Sequence, residues 1–265
     1  MRLVNALIAG SAVLLGAFLS SHHLSFSVYL AGFSVALITA GGNLINDYFD
    51  VEVDRINNPE RLIPSGKMTR RQVLITSIIL FFIGNGLFAF IDIYLFLIGI
   101  FATILLTLYT PFLKVHPLVG NIAISGLIAL TFLVGGIASF GNLKDLGFPA
   151  LFAFLLNLPR EILKDGEDLV GDRKAGMRTF PIVFGIRKTC YLVITLLWFL
   201  VSAILIAFFH YGNFFRICAG FGVAVPIIIM IKRSTSSPFW FRNTQRILKM
   251  LIIPGILALL LSEIK

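Results

Sequence analysis

The chain has 265 residues, of which 58% are hydrophobic and 13% charged, with a mean hydropathy of +0.95. A soluble globular domain is about 25% charged, so this composition excludes a water-covered globule and calls for a bundle inside lipid. The net charge of +9 does not indicate nucleic acid, because the basic residues lie in short loops between apolar stretches, where they set membrane orientation.

Nine stretches reach the roughly 20 apolar residues that a spanning helix needs: 3–20, 26–45, 73–91, 93–112, 117–139, 146–163, 189–210, 213–231 and 246–262. The first follows Arg2 and is too long for a signal-peptide core, so it is read as a membrane helix. The connections are of two kinds. Those at 46–72, 164–188 and 232–245 are long and basic, and the turn at 112–116 with Lys114 shares their side by alternation. Those at 21–25, around Asp92, at 140–145 and at 211–212 are short and nearly uncharged. Of the Lys and Arg residues, 19 fall on the first side and Lys144, Arg216 and Lys265 on the other. Positive residues stay inside, which places the N-terminus and the long loops in the cytoplasm and the C-terminus outside. The expectation is an all-α, polytopic bundle of nine transmembrane helices in the cell membrane. Residues 1–265 would form a single domain, with a central cavity opening near the cytoplasmic side. Cys190 and Cys218 lie in apolar stretches without metal-binding or disulfide spacing.

Most of the 13 acidic residues fall in two windows. The first runs Asn46-Asp47-Tyr48-Phe49-Asp50-Val51-Glu52-Val53-Asp54. The second contains Glu161, Lys164, Asp165, Glu167, Asp168 and Asp172. Asp47, Asp50 and Asp54 repeat the i, i+3, i+7 spacing of Asp165, Asp168 and Asp172, which puts each triplet on one face of a helix. Three like charges on one face repel each other and are tolerated only in water or around cations. Two such sets at the same side of the membrane mark a functional site. Oxygen ligands without His or Cys point to a hard cation, Mg²⁺ first, shared with substrate phosphates. Arg61, Lys114 and Lys164 lie on the same side and suit phosphate oxygens. The Pro64 and Gly66 of Arg61-Leu62-Ile63-Pro64-Ser65-Gly66 can reverse the chain and carry Arg61 back over the acidic helix end.

These residues resemble the UbiA superfamily of intramembrane prenyltransferases. Asn46, Asp47, Asp50 and Asp54 are similar to its N-D-x-x-D-x-x-x-D motif, and Asp168 and Asp172 to its D-x-x-x-D motif. Arg2-Leu3-Val4-Asn5 resembles the entry of its first helix, and Tyr109-Thr110-Pro111-Phe112-Leu113-Lys114 its Tyr/Lys segment after the fourth. Nine helices with the N-terminus inside extend the resemblance over nearly the whole chain. Leu62 departs from the pattern, which often has Pro there. Within the superfamily, the stretch from Arg160 to Asp172 is most similar to the enzymes that join geranylgeranyl diphosphate to geranylgeranylglyceryl phosphate in ether-lipid synthesis.

The resemblance implies an isoprenyl diphosphate donor, a lipid acceptor and membrane lipids around the chain. Asp47, Asp50, Asp54, Asp168 and Asp172 would hold Mg²⁺ and act in catalysis. Asn46, Asp165 and Asn5 would assist substrate binding. Arg61, Lys114 and Lys164 would meet the charge that grows as diphosphate leaves. Tyr48 and Tyr109 are candidates to face the allylic cation. An aromatic, quinone-precursor acceptor is the alternative within the superfamily. A transporter is the remote alternative, although transporters place their charges near the midplane of broken helices.

Overall fold

The computed structural model describes residues 2–174, 176–235 and 237–262; the Arg2 side chain and Lys265, both used in the charge count above, lie outside the described residues. The described chain is all helical. In order come α1 (Arg2–Ser21), α2 (Phe26–Phe49), α3 (Val51–Asn57), α4 (Arg70–Ile91), α5 (Ile93–Leu108), α6 (Val119–Ala138) and α7 (Gly147–Glu167). After these come α8 (Leu169–Lys174), α9 (Phe180–Phe184), α10 (Ile186–Ala207), α11 (Asn213–Ala219), α12 (Val225–Lys232), α13 (Pro238–Met250) and α14 (Ile252–Leu261). Among the described residues, 9 stretches are long and apolar enough to cross a membrane.

Where boundaries differ from the apolar windows, a polar residue explains the shift. Helix α2 runs on to Phe49 and carries Asn46 and Asp47 on its last turns. Helix α4 starts at Arg70 because Thr69 caps it. The Thr69 hydroxyl accepts from Gln72 N at 3.2 Å, and the Gln72 side chain accepts from Thr69 N at 2.8 Å, a reciprocal box that satisfies two helix-end donors. The last span begins at Phe239 rather than at 246. Its first half, α13, carries Arg242, Gln245, Arg246 and Lys249 on one side, which hides it from a search for apolar runs. Its other side buries Phe241 and Leu248 completely.

Two apolar cores organise the bundle. One joins Val28, Val35 and Ile38 of α2 to Phe81 and Phe88 of α4 and Leu95 of α5. The other joins Leu158 and Ile162 of α7 to Leu197 of α10, Phe215 of α11, Ile227 of α12 and Leu248 of α13. Helices α1 and α6 contribute to both and pack tightly on each other. A Cβ at Gly135 would run into the backbone carbonyl of Val13, so only glycine allows this approach, as is usual between helices in lipid. Large apolar side chains cover the outside: Phe82, Phe90 and Phe209 are 80%, 87% and 88% exposed. Such a surface suits hydrocarbon rather than water.

Candidate active site

Both aspartate segments bend at their middle aspartate. Helix α2 ends at Phe49, Asp50 has φ −83° and ψ 13°, and α3 begins at Val51. Helix α7 ends at Glu167, Asp168 has φ −83° and ψ 5°, and α8 begins at Leu169. Helical hydrogen bonds continue through each bend: Asp54 N donates to Asp50 O at 2.8 Å and Asp172 N to Asp168 O at 3.0 Å. The expected single straight helical face is therefore broken at its centre in both segments. Beyond the bends, Asp54 and Asp172 are both buried.

The two short helices then pack on each other. Asn57 Nδ2 donates to the backbone carbonyl of Asp168 at 3.1 Å. Gly171 faces Asn57 so closely that a Cβ would collide with its amide. This seam brings the first aspartate segment against the second.

Two basic residues from other loops enter the gap. Arg61 is delivered by the expected turn, in which Ser65 N donates to Arg61 O at 2.9 Å and Gly66 takes φ +75°. Its guanidinium pairs with Asp54 and lies 3.7 Å from Asp47. Lys114 follows a π-helical turn, Tyr109–Leu113, closed by Lys114 N donating to Tyr109 O at 2.7 Å. Pro111 lacks the N–H of a regular turn, and such bulges are frequent at functional sites. Lys114 Nζ stands 3.4 Å from Asp50 and 3.4 Å from Asp172. Burial disfavours the charged form of both bases. Their carboxylate partners outweigh it, Asp54 and Asp47 for Arg61 and Asp50 and Asp172 for Lys114, and both pKa values are raised. Burial acts the other way on Asp172. It pushes that carboxyl up to about 6, with Lys114 opposing and Asp168 and Asp50 adding to the rise.

A cavity of about 710 Å³ starts at this cluster. Its polar lining includes Asn5, Asn46, Asp47, Arg61, Tyr109 and Lys164. The rest is mostly aliphatic and aromatic, with Val35, Ile38 and Leu106 from one core and Leu156, Leu200 and Phe215 from the other. A second space, about 30 Å³, is lined by Asn46, Asp50, Asp54, Arg61, Tyr109, Lys114, Lys164 and Asp168. It has room for about a water molecule and touches both aspartate segments.

Asp165 and Asp172 line neither space. Asp165 accepts from Asn121 Nδ2 at 2.9 Å, and Asp172 lies behind Lys114. Tyr48 also lies outside both; the Arg70 guanidinium sits over its ring, 4.5 Å from the centroid. Among the described residues, no three acidic, His or Cys side chains converge as a preformed metal cage. A magnesium ion does not require one, since it usually relies on one or two carboxylates, waters and substrate phosphates. The donor set fits such an ion. Its ligands are oxygens, five of the six aspartates are buried, and Arg61 and Lys114 offset only part of their charge. Both carboxylate oxygens of Asp172 are buried, and their one close cation among the described residues is Lys114, 3.4 Å from Oδ1.

Four residues of the site were given no role from the sequence. Asn57 holds the Asp168 carbonyl and Asn121 holds Asp165. Thr110 donates to Asn46 Oδ1 at 3.1 Å. Glu161 pairs with Arg160 at 3.1 Å and Lys164 at 3.6 Å. Asn121, an amide inside an apolar span, was the most visible signal among them.

Known proteins resemble this chain over most of its length. Residues 9–240 match the UbiA prenyltransferase family. Digeranylgeranylglyceryl phosphate synthase of Methanospirillum hungatei is 36% identical over 272 aligned residues, covering 100% of this chain and 96% of that protein. A solved structure described as giving structural and mechanistic insights into digeranylgeranylglyceryl phosphate synthase in membranes matches with a TM-score of 0.78 and 30% identity, over 98% of this chain and 95% of that one. A UbiA homolog from Archaeoglobus fulgidus, bound to GPP and Mg²⁺, has a TM-score of 0.71 at 18% identity, over 97% and 96% of the two chains.

Proposed function

This chain belongs to the UbiA prenyltransferase family, and from that premise we propose that it moves a geranylgeranyl group from geranylgeranyl diphosphate to the hydroxyl of geranylgeranylglyceryl phosphate. One observation carries the reading. Asp50 and Asp172, one from each acidic segment, meet across Lys114 beside a largely apolar cavity of about 710 Å³. A diphosphate needs the first feature and an isoprenoid chain needs the second. The volume lies within the roughly 300–1,000 Å³ of ligand pockets. The relatives named digeranylgeranylglyceryl phosphate synthase support a glyceryl phosphate acceptor. The fold itself can hold such a donor, since the A. fulgidus homolog holds GPP and Mg²⁺.

Asp47, Asp50, Asp54, Asp168 and Asp172 are the residues that would hold Mg²⁺, with Asn46 and Asp165 supporting them. Bound there, the ion supplies charge neutralisation to the diphosphate oxygens. Arg61, Lys114 and Lys164 hold the diphosphate and meet the negative charge that grows on it as the C1–O bond breaks. The apolar walls keep water from the allylic cation, and Tyr109, buried between the two spaces, offers it a ring face. Asn5 lines the same cavity and orients substrate. The acceptor oxygen then bonds to C1, loses its proton and forms the ether.

The whole chain, 1–265, acts in this reading as one catalytic domain. The excess of Lys and Arg on the side of the acidic ends, 19 against 3, supports a cytoplasmic N-terminus and site. Purified protein in detergent with Mg²⁺ and radiolabelled geranylgeranyl diphosphate tests the reading. Label should pass to geranylgeranylglyceryl phosphate. Transfer only to an aromatic quinone precursor, or to no acceptor, would overturn it.

A further inference from the structure

A second group of charges faces the same cavity away from the aspartates. Helices α7 and α13 run antiparallel. Near the membrane surface Arg242 Nε donates to Glu167 Oε1 at 3.0 Å, and Phe241 fills the space beside Gly166. Seven residues further into each span stand Arg160 and Lys249, about two turns or about 10 Å deeper. Both line the cavity, with Gln245 between them and the surface. The antiparallel register that pairs Glu167 with Arg242 sets Arg160 opposite Lys249. Among the described residues Lys249 makes no ion pair, and the nearby carboxylate of Glu161 already serves Arg160 and Lys164. The Nε of Arg160 is buried and donates to nothing.

Two like charges at membrane depth, facing one cavity, are costly unless they have a function. An anion between them removes the repulsion. A guanidinium beside an ammonium suits a phosphate monoester, which takes the fork of the first and the point charge of the second. The donor diphosphate is already provided for by Arg61, Lys114 and Lys164. We infer that Arg160 and Lys249, with Gln245, bind the phosphate of the lipid acceptor and make the site selective for a phosphorylated one. This rests on the glyceryl phosphate acceptor proposed above.

The test compares geranylgeranylglyceryl phosphate with geranylgeranylglycerol as acceptors, in phospholipid-free detergent so that no bilayer headgroup competes. Wild-type protein should prefer the phosphorylated acceptor in kcat/KM. Lys249→Gln, which leaves the Glu161 pairs intact, and Arg160→Gln should each cut that preference about ten-fold. The KM for geranylgeranyl diphosphate should stay at its wild-type value in both. The inference is overturned if both variants keep the wild-type preference, or if they raise the KM for donor and acceptor alike. Transfer to neither glyceryl ether by wild-type protein would sink the proposed function and this inference together. Transfer with an unchanged preference in the variants sinks the inference alone.

Discussion

Asp50 and Asp172, far apart in the chain, share one ammonium: Lys114 Nζ lies 3.4 Å from an oxygen of each. The seam between α3 and α8 and the π-turn before Lys114 both serve this arrangement. A lysine there ties one carboxylate of each segment to the other.

Replacing Lys114 by Met should lower turnover about 10²–10³-fold, the range for losing one charge-stabilising donor. The buried carboxylates would also lose their shared cation, so the variant should melt at lower temperature than wild type without Mg²⁺ and recover part of the loss when Mg²⁺ is added. Steady-state kinetics and melting curves check both. Wild-type turnover in the variant would remove Lys114 from the site.

Asp50→Ala and Asp168→Ala should each reduce transfer by about 100-fold or more, since each removes an anionic ligand from the proposed metal centre. Both variants should still insert into the membrane and purify as wild type does. Asp168 is only half-buried and its side chain pairs with no described neighbour, so its loss costs the fold little. Near-normal turnover in both would contradict the metal-site assignment.

Excess EDTA should abolish transfer, and Mg²⁺ should restore it. Lys114 and Arg61 cannot alone compensate the aspartates and an incoming diphosphate. Full activity in EDTA counts against the proposed metal.

The Asp172 carboxyl, pushed up to about 6 chiefly by its burial, makes the effect of Mg²⁺ depend on pH. Its folded pKa exceeds the unfolded value of about 3.9. The protonated form therefore favours the fold below about pH 4, and that contribution is lost as pH rises through about 6. Metal binding needs the ionised form. The gain in melting temperature on adding Mg²⁺ should thus be larger at pH 7.5 than at pH 5. An equal or reversed gain would show that Asp172 is not linked to the metal.

Gly171→Ala should open the seam between the segments, because its Cβ has no room beside Asn57. Overpacking of this kind costs about 1–3 kcal/mol. A lowered melting temperature together with weaker donor binding is expected. Unchanged values for both would mean that the seam yields without disturbing the site.

Much of this was legible in the sequence. The nine apolar stretches became nine candidate spans, since lipid demands a length and a composition that few other structures share. The i, i+3, i+7 aspartates were visible as a repeat, and the Pro64–Gly66 turn as the route that brings Arg61 back. The bends at Asp50 and Asp168 were hidden, because spacing alone cannot distinguish a straight helix from two short ones joined by helical hydrogen bonds. Helix α13 was half missed, because Arg242, Arg246 and Lys249 interrupt its apolar run while Phe241 and Leu248 bury its other face. Tyr48 was misjudged: its neighbours in sequence lie at the site, but its ring turns to Arg70. The sequence pairs no residues across the bundle, so nothing in it assigned Asn121 to Asp165 or Lys249 to Arg160.

The most direct test is a binding cycle with geranylgeranyl diphosphate in Mg²⁺, using wild-type protein, Asp50→Asn, Asp172→Asn and the double variant. One shared centre predicts that each single change removes most of the Mg²⁺-dependent affinity and that the double variant binds little worse than the weaker single one. Full Mg²⁺-dependent affinity in either single variant, or losses that simply add, would contradict a diphosphate held by both segments.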